Sequence, residues 1–70
     1  MSIGENIKRF REEKHLTQTQ LSESLGVDQS YIAKVENNIR IPSIMFCEAA
    51  AKIFGCTLND LVNRDSPETA

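Results

Sequence analysis

The chain is poor in the residues that most chemistry uses. Its 70 residues hold two cysteines and one histidine. Cys47 and Cys56 make neither a CxxC pair nor the dense spacing of a disulfide-stapled domain, and both sit among apolar neighbours, so free, buried thiols are expected rather than a bridge. Together with His15 they offer too few nitrogen and sulfur ligands at workable spacing to hold zinc, and no metal is expected. A second histidine, a nucleophile motif and a glycine-rich phosphate loop are all missing, and the carboxylates are scattered where helix surfaces and caps explain them. The sequence therefore predicts no enzyme and no cofactor. No apolar run approaches the ~20 residues of a membrane span, and the first residues lack the apolar core of a signal peptide, which predicts a cytoplasmic protein with no membrane partner. Positive charge is scarce as well: eight Lys and Arg stand against ten Asp and Glu, a formal net charge of −2. That balance speaks against nucleic acid, because phosphate neutralisation normally provides most of the affinity.

What is present is helical grammar. An apolar fraction of 40% is that of a globular chain, and 70 residues allow one small domain, expected over residues 1–63 with a polar, proline-containing tail at 64–70 expected to fray. A core of that size rarely supplies more than ~3–5 kcal/mol, so burial against a second copy would help. The first helix is expected from about Ser2 to Lys14, with Ile3, Ile7 and Phe10 at helical spacing and Ser2 and Glu5 forming a capping box. His15 suits a left-handed residue after its last turn. Thr17 with Gln20 opens a second helix running through Leu25. Asp28 caps a third, from about Gln29 to Asn37, and Asn38 can end it in a left-handed conformation. Pro42 forbids simple continuation, and Ser43 caps a fourth helix with Cys47, Ala50, Ala51 and Phe54 inward. Ile44, Met45 and Ile53 fall partly outside that stripe. Gly55 closes the fourth helix, and Thr57 with Asp60 opens a short fifth whose apolar face is Leu58, Leu61 and Val62. No strand signal or internal repeat interrupts this all-α pattern.

One stretch organises the rest: Thr17–Asn37, TQTQLSESLGVDQSYIAKVEN. Leu21, Leu25, Val27, Ile32 and Val35 fall where two short helices must bury apolar side chains, and Gly26 falls at the sharp turn between them. The outer face of the second member carries Gln29, Ser30, Ala33, Lys34 and Asn37, with none of the bulky apolar groups a core needs. Such a face suits a polar partner. Asp28 commits a negative charge beside it.

Between Ile3 and Val62, the series R-E-E-K, L-T-Q, L-S-E-S-L-G-V, S-Y-I-A-K-V-E-N, I-P-S and A-K-I-F-G-C-T-L-N-D-L resembles the phage repressor and Cro-type (XRE) helix-turn-helix domains of bacteria and phages. The resemblance implies a compact five-helix, lambda-repressor-like fold, with the third helix in the major groove of double-stranded DNA and the start of the second at the phosphate backbone. It gives Gln29, Ser30, Ala33 and Lys34 the base-reading positions. Gln29 can pair with adenine, Ala33 can touch a thymine methyl, and Lys34 can reach guanine or a phosphate. Gln18, Tyr31, Asn37, Asn38 and Arg40 take backbone-contacting positions, which set register without reading sequence. It also implies an ion pair between Arg11 and Glu36, the alternative being two solvated surface charges. Pairing of two copies falls to the C-terminal helices, where Ile44, Met45, Ile53, Leu58 and Val62 are candidates unless they are ordinary core. Ser22 and Asn38 stand where alanine and glycine are commoner in the family, and neither change threatens the fold.

The function expected from this resemblance is sequence-specific transcription regulation, as a repressor, by a homodimer on a two-fold symmetric operator. An antitoxin-like or adaptor module that holds a protein and binds DNA only secondarily is the alternative that the acidic balance keeps open. No small-molecule effector is expected.

Overall fold

The computed structural model describes residues 2–62, so the expected tail at 64–70 and the boundary at residue 63 lie outside the described residues. Five helices follow one another: α1 (Ile3–Glu13), α2 (Gln18–Leu25), α3 (Gln29–Glu36), α4 (Ile44–Phe54) and α5 (Leu58–Val62), with no strand among the described residues.

Local chemistry accounts for where each helix starts and stops. Ser2, Thr17, Asp28 and Ser43 hold extended backbone at the helix entrances, and each side-chain oxygen accepts from an otherwise unpaired first-turn amide. Glu5 and Gln20 return the bond to the Ser2 and Thr17 amides, and Asp60 does the same for Thr57. The exits share one device. His15, Gly26, Asn38 and Gly55 turn left-handed, with φ of 59°, 72°, 64° and 74°. The next amide then reaches back five residues, from Leu16 to the Arg11 carbonyl at 3.1 Å, Val27 to Ser22 at 3.0 Å, Ile39 to Lys34 at 2.8 Å and Cys56 to Ala51 at 3.0 Å. Lys14 and Asn37, expected inside α1 and α3, are their C-caps.

Ile7, Leu21, Ile32, Val35, Phe46, Cys47, Ala50, Ala51, Phe54 and Leu61 form the core, with Leu25 and Val27 half-buried at its edge. Phe46 enters it beyond the expected stripe because Tyr31 meets its ring edge-on at 5.2 Å. Cys47 is buried and Cys56 half-buried, both as free thiols, and burial pushes each thiol pKa up.

Two residues that the sequence reading passed over join α1 to its neighbours. Asn6 is 1% exposed, and its Nδ2 donates to the Leu61 carbonyl at 2.7 Å, satisfying an orphan carbonyl of α5 from the core side. Gly4 is where α1 crosses α3: a Cβ there would lie 2.1 Å from the Val35 carbonyl oxygen. The pair α2 and α3 thus packs on α1 through α3 and on α4 through α2.

Candidate functional site

The amphipathic pattern of α3 divides its side chains cleanly. Ile32, Val35 and Glu36 point into the protein, whereas Gln29, Ser30, Lys34 and Asn37 are exposed and Ala33 is half-buried. Glu36 is the anomaly, an acid on the apolar side. Its oxygens accept from Arg11 Nε at 2.6 Å and from Arg11 Nη2 at 3.1 Å, a bidentate pair whose side chains are 11% and 2% exposed. Arg11 Nη1 also donates to the Leu16 carbonyl at 2.7 Å, so one guanidinium fastens α1, the approach to α2 and the end of α3. The ion pair that the resemblance implied is therefore formed and buried, and the Glu36 charge is kept off the outer face.

The network continues to the surface. Glu36 Oε1 accepts from Gln18 Nε2 at 3.0 Å, and Gln18 Oε1 accepts from Gln29 Nε2 at 2.7 Å. Gln18 begins α2 and Gln29 begins α3, so the two helix N-termini, with their free amides, lie side by side. Ser30 donates its hydroxyl to the Asp28 carboxylate, which leaves that hydroxyl oxygen free to accept.

The Asp28 carboxyl is held below its ordinary value, first by the Ser30 hydroxyl and then by the Ser30 amide. Slight desolvation opposes this, and Lys34 adds a smaller pull. A depressed folded-state pKa stabilises the protein above the unfolded value and loses that contribution as pH falls through the folded one. Asp28→Ser keeps a capping oxygen but cannot titrate. Its urea midpoint is expected to sit below that of the parent chain at neutral pH, with the gap closing once pH drops below about 4. A gap that stays constant into acid would contradict this role.

Of the other positions marked in the sequence, Asn37, Asn38 and Arg40 are exposed around the end of α3. Tyr31 is half-buried, its ring against Phe46 on one hand and 5.6 Å from the Arg40 guanidinium on the other, so it acts structurally as a platform for Arg40. Ile44 and Met45 are exposed at 59% and 80%, and Val62 at 38%. Ile53 and Leu58 are half-buried against the core. Ile39 and Ile41, at 69% and 90%, extend the exposed apolar surface along the α3–α4 connector, and an open groove of about 500 Å³ lined by Leu25, Val27, Tyr31, Met45 and Phe46 adjoins it. The signal for Ile39 and Ile41 was available: two isoleucines flanking an arginine in a connector, where turn residues would be ordinary.

A family model for helix-turn-helix domains matches residues 7–61. The immunity repressor protein of Bacillus phage phi105 is 35% identical over 66 residues, which cover 94% of this chain and 46% of that protein. The regulator SinR of Bacillus licheniformis is 36% identical over 62 residues, covering 87% of this chain and 56% of its own length. The chain thus spans about half the length of the curated relatives it matches. Among solved structures, the P22 c2 repressor bound to a synthetic operator superposes with a TM-score of 0.85 at 25% identity, over 93% of this chain and 98% of that one.

Proposed function

The chain belongs to the helix-turn-helix family of phage-repressor and Cro type, and from that premise we propose that it is a sequence-specific DNA-binding transcription regulator, a repressor acting in the cytoplasm, whose α3 lies in the major groove. The observation that carries the reading is the outer face of α3: Gln29, Ser30 and Lys34 are exposed together, and Gln29 is already held against Gln18 at the start of α2. Gln29, Ser30, Ala33 and Lys34 read base edges, while Gln18, Asn37, Asn38 and Arg40 meet phosphates. Tyr31 acts on the backbone through the placement of Arg40. Residues 1–63 form the binding unit.

Two copies bind a two-fold symmetric operator, with half-sites about one helical turn apart. What supports pairing is the run of exposed Ile39, Ile41, Ile44 and Met45 around the α3–α4 connector, an apolar surface of the kind that marks an interface, while Val62 is exposed on α5 and Ile53 and Leu58 are half-buried against the core. With a net charge of −2 across the chain, hydrogen bonds and pairing carry more of the affinity than electrostatic attraction does.

Selection of bound duplexes from a random library, followed by measurement of stoichiometry, tests this reading, and an inverted-repeat motif bound by two chains is the expected result. On that site Gln29→Ala and Lys34→Ala should each lose about tenfold in affinity while binding random duplex nearly as before. Equal losses on both DNAs would overturn the base-reading assignments.

A further inference from the structure

We infer that Glu36, a residue that never reaches the exposed face, sets which base Gln29 accepts. This rests on the reading of α3 as the base-contacting helix. The argument is one of hydrogen-bond polarity. A carboxylate has no donor, so the Gln18 atom 3.0 Å from Glu36 Oε1 must be the amide nitrogen. Gln18 then presents its carbonyl oxygen outward. The Gln29 atom 2.7 Å from that oxygen must therefore be a nitrogen too. Every amide orientation along the path follows from the acceptor-only group at its buried end, which Arg11 holds in place through two bonds.

The consequence lies at the surface. With one N–H of Gln29 donated to Gln18, the side chain presents one remaining N–H and one carbonyl oxygen to a base. That is the complement of adenine, which offers an N7 acceptor beside an N6 donor, and it opposes guanine, whose N7 and O6 both accept. An unrestrained glutamine could turn its amide over and lose the distinction.

Replacing Glu36 by glutamine reverses the sequence of donors. The shorter of the two guanidinium bonds, from Arg11 Nε at 2.6 Å, keeps the amide oxygen at the Oε2 position, so the amide nitrogen takes the Oε1 position facing Gln18 and the 3.1 Å bond from Arg11 Nη2 is given up. Gln18 then turns over to accept, its nitrogen faces Gln29, and Gln29 accepts through its oxygen. Both N–H groups of Gln29 now face the groove, as guanine requires. Glu36 is thus a positioning residue for specificity, acting through Gln18.

The test uses the full chain and the duplex selected by it, with the base pair read by Gln29 located as the one whose discrimination disappears in Gln29→Ala. Affinities are measured for that duplex with adenine or guanine at the position. The parent chain is expected to prefer adenine by about tenfold or more. Glu36→Gln should abolish or invert that preference, Gln18→Met should reduce it toward equality, and adding Gln18→Met to Glu36→Gln should leave it at the value of Gln18→Met alone. If Glu36→Gln does not fold, the same ratio is read in Arg11→Met/Glu36→Gln, which leaves no buried unpaired charge and releases the polarity. An unchanged adenine preference in a folded Glu36 variant, or a parent site without adenine at that position, overturns the inference while leaving DNA binding intact. A parent chain that selects no site refutes the function reading and the inference with it.

Discussion

Arg11→Met is expected to cost about 3–5 kcal/mol, as much as a core of this size supplies, and to leave the chain largely unfolded at room temperature. The reason is what stays behind. Glu36 keeps a carboxylate whose side chain is 2% exposed, now without the two guanidinium bonds that offset its desolvation, and the Leu16 carbonyl loses its donor. Gln18 alone, at 3.0 Å, is one neutral donor against a full charge. Substituting both partners, as Arg11→Met with Glu36→Gln, removes the charges together and should recover much of the loss. Urea unfolding followed by far-ultraviolet circular dichroism checks both variants, and a double variant no more stable than the worse single one would show that the two residues do not act as a pair.

Gly4→Ala is expected to destabilise by about 2–3 kcal/mol, against the usual direction for this substitution in a helix. Alanine in place of an exposed helical glycine ordinarily gains about 1 kcal/mol from backbone entropy and propensity. Here the added Cβ would stand 2.1 Å from the Val35 backbone oxygen and 2.7 Å from Asn38 Oδ1. The Asn38 side chain can move aside, but the Val35 carbonyl is part of α3 and cannot. Relief therefore requires α1 to lift from α3, which loosens Ile7 and the Arg11–Glu36 bonds on the same pair of helices. Thermal unfolding compared with Glu13→Ala, at an exposed position of α1, separates the crossing from general helix effects. A stabilised Gly4→Ala chain would mean that α1 and α3 leave room for a Cβ beside the Val35 carbonyl.

Where residues act on near neighbours in the chain, the sequence was readable. The caps at Ser2, Thr17, Asp28 and Ser43 and the left-handed exits at His15, Gly26, Asn38 and Gly55 each depend on backbone within a few residues, so type and spacing were sufficient. The inward stripe of α4 at Cys47, Ala50, Ala51 and Phe54 followed from helical periodicity alone. Phe46 was missed because its burial comes from Tyr31, a partner contributed by another helix. Asn6 was missed because a polar residue at a core position has meaning only once Leu61 is known to end α5 beside it.

The same division runs through the candidate site. The sequence by itself determined five helices, their ends, and an α3 whose outward residues are polar, because these follow from short-range hydrogen bonding and the spacing of apolar side chains. Family resemblance placed Arg11 with Glu36 and marked Gln18 and Gln29. Only the tertiary structure decided that these four residues form one continuous path from the core to the exposed face. Its contacts join residues from three helices, and the direction of each hydrogen bond depends on a carboxylate whose burial no local pattern records. The distance between α1 and α3 was likewise a tertiary decision. Gly4 permits the approach, but it is the packing of α3 across α1 that brings the Val35 carbonyl there and makes the missing Cβ matter.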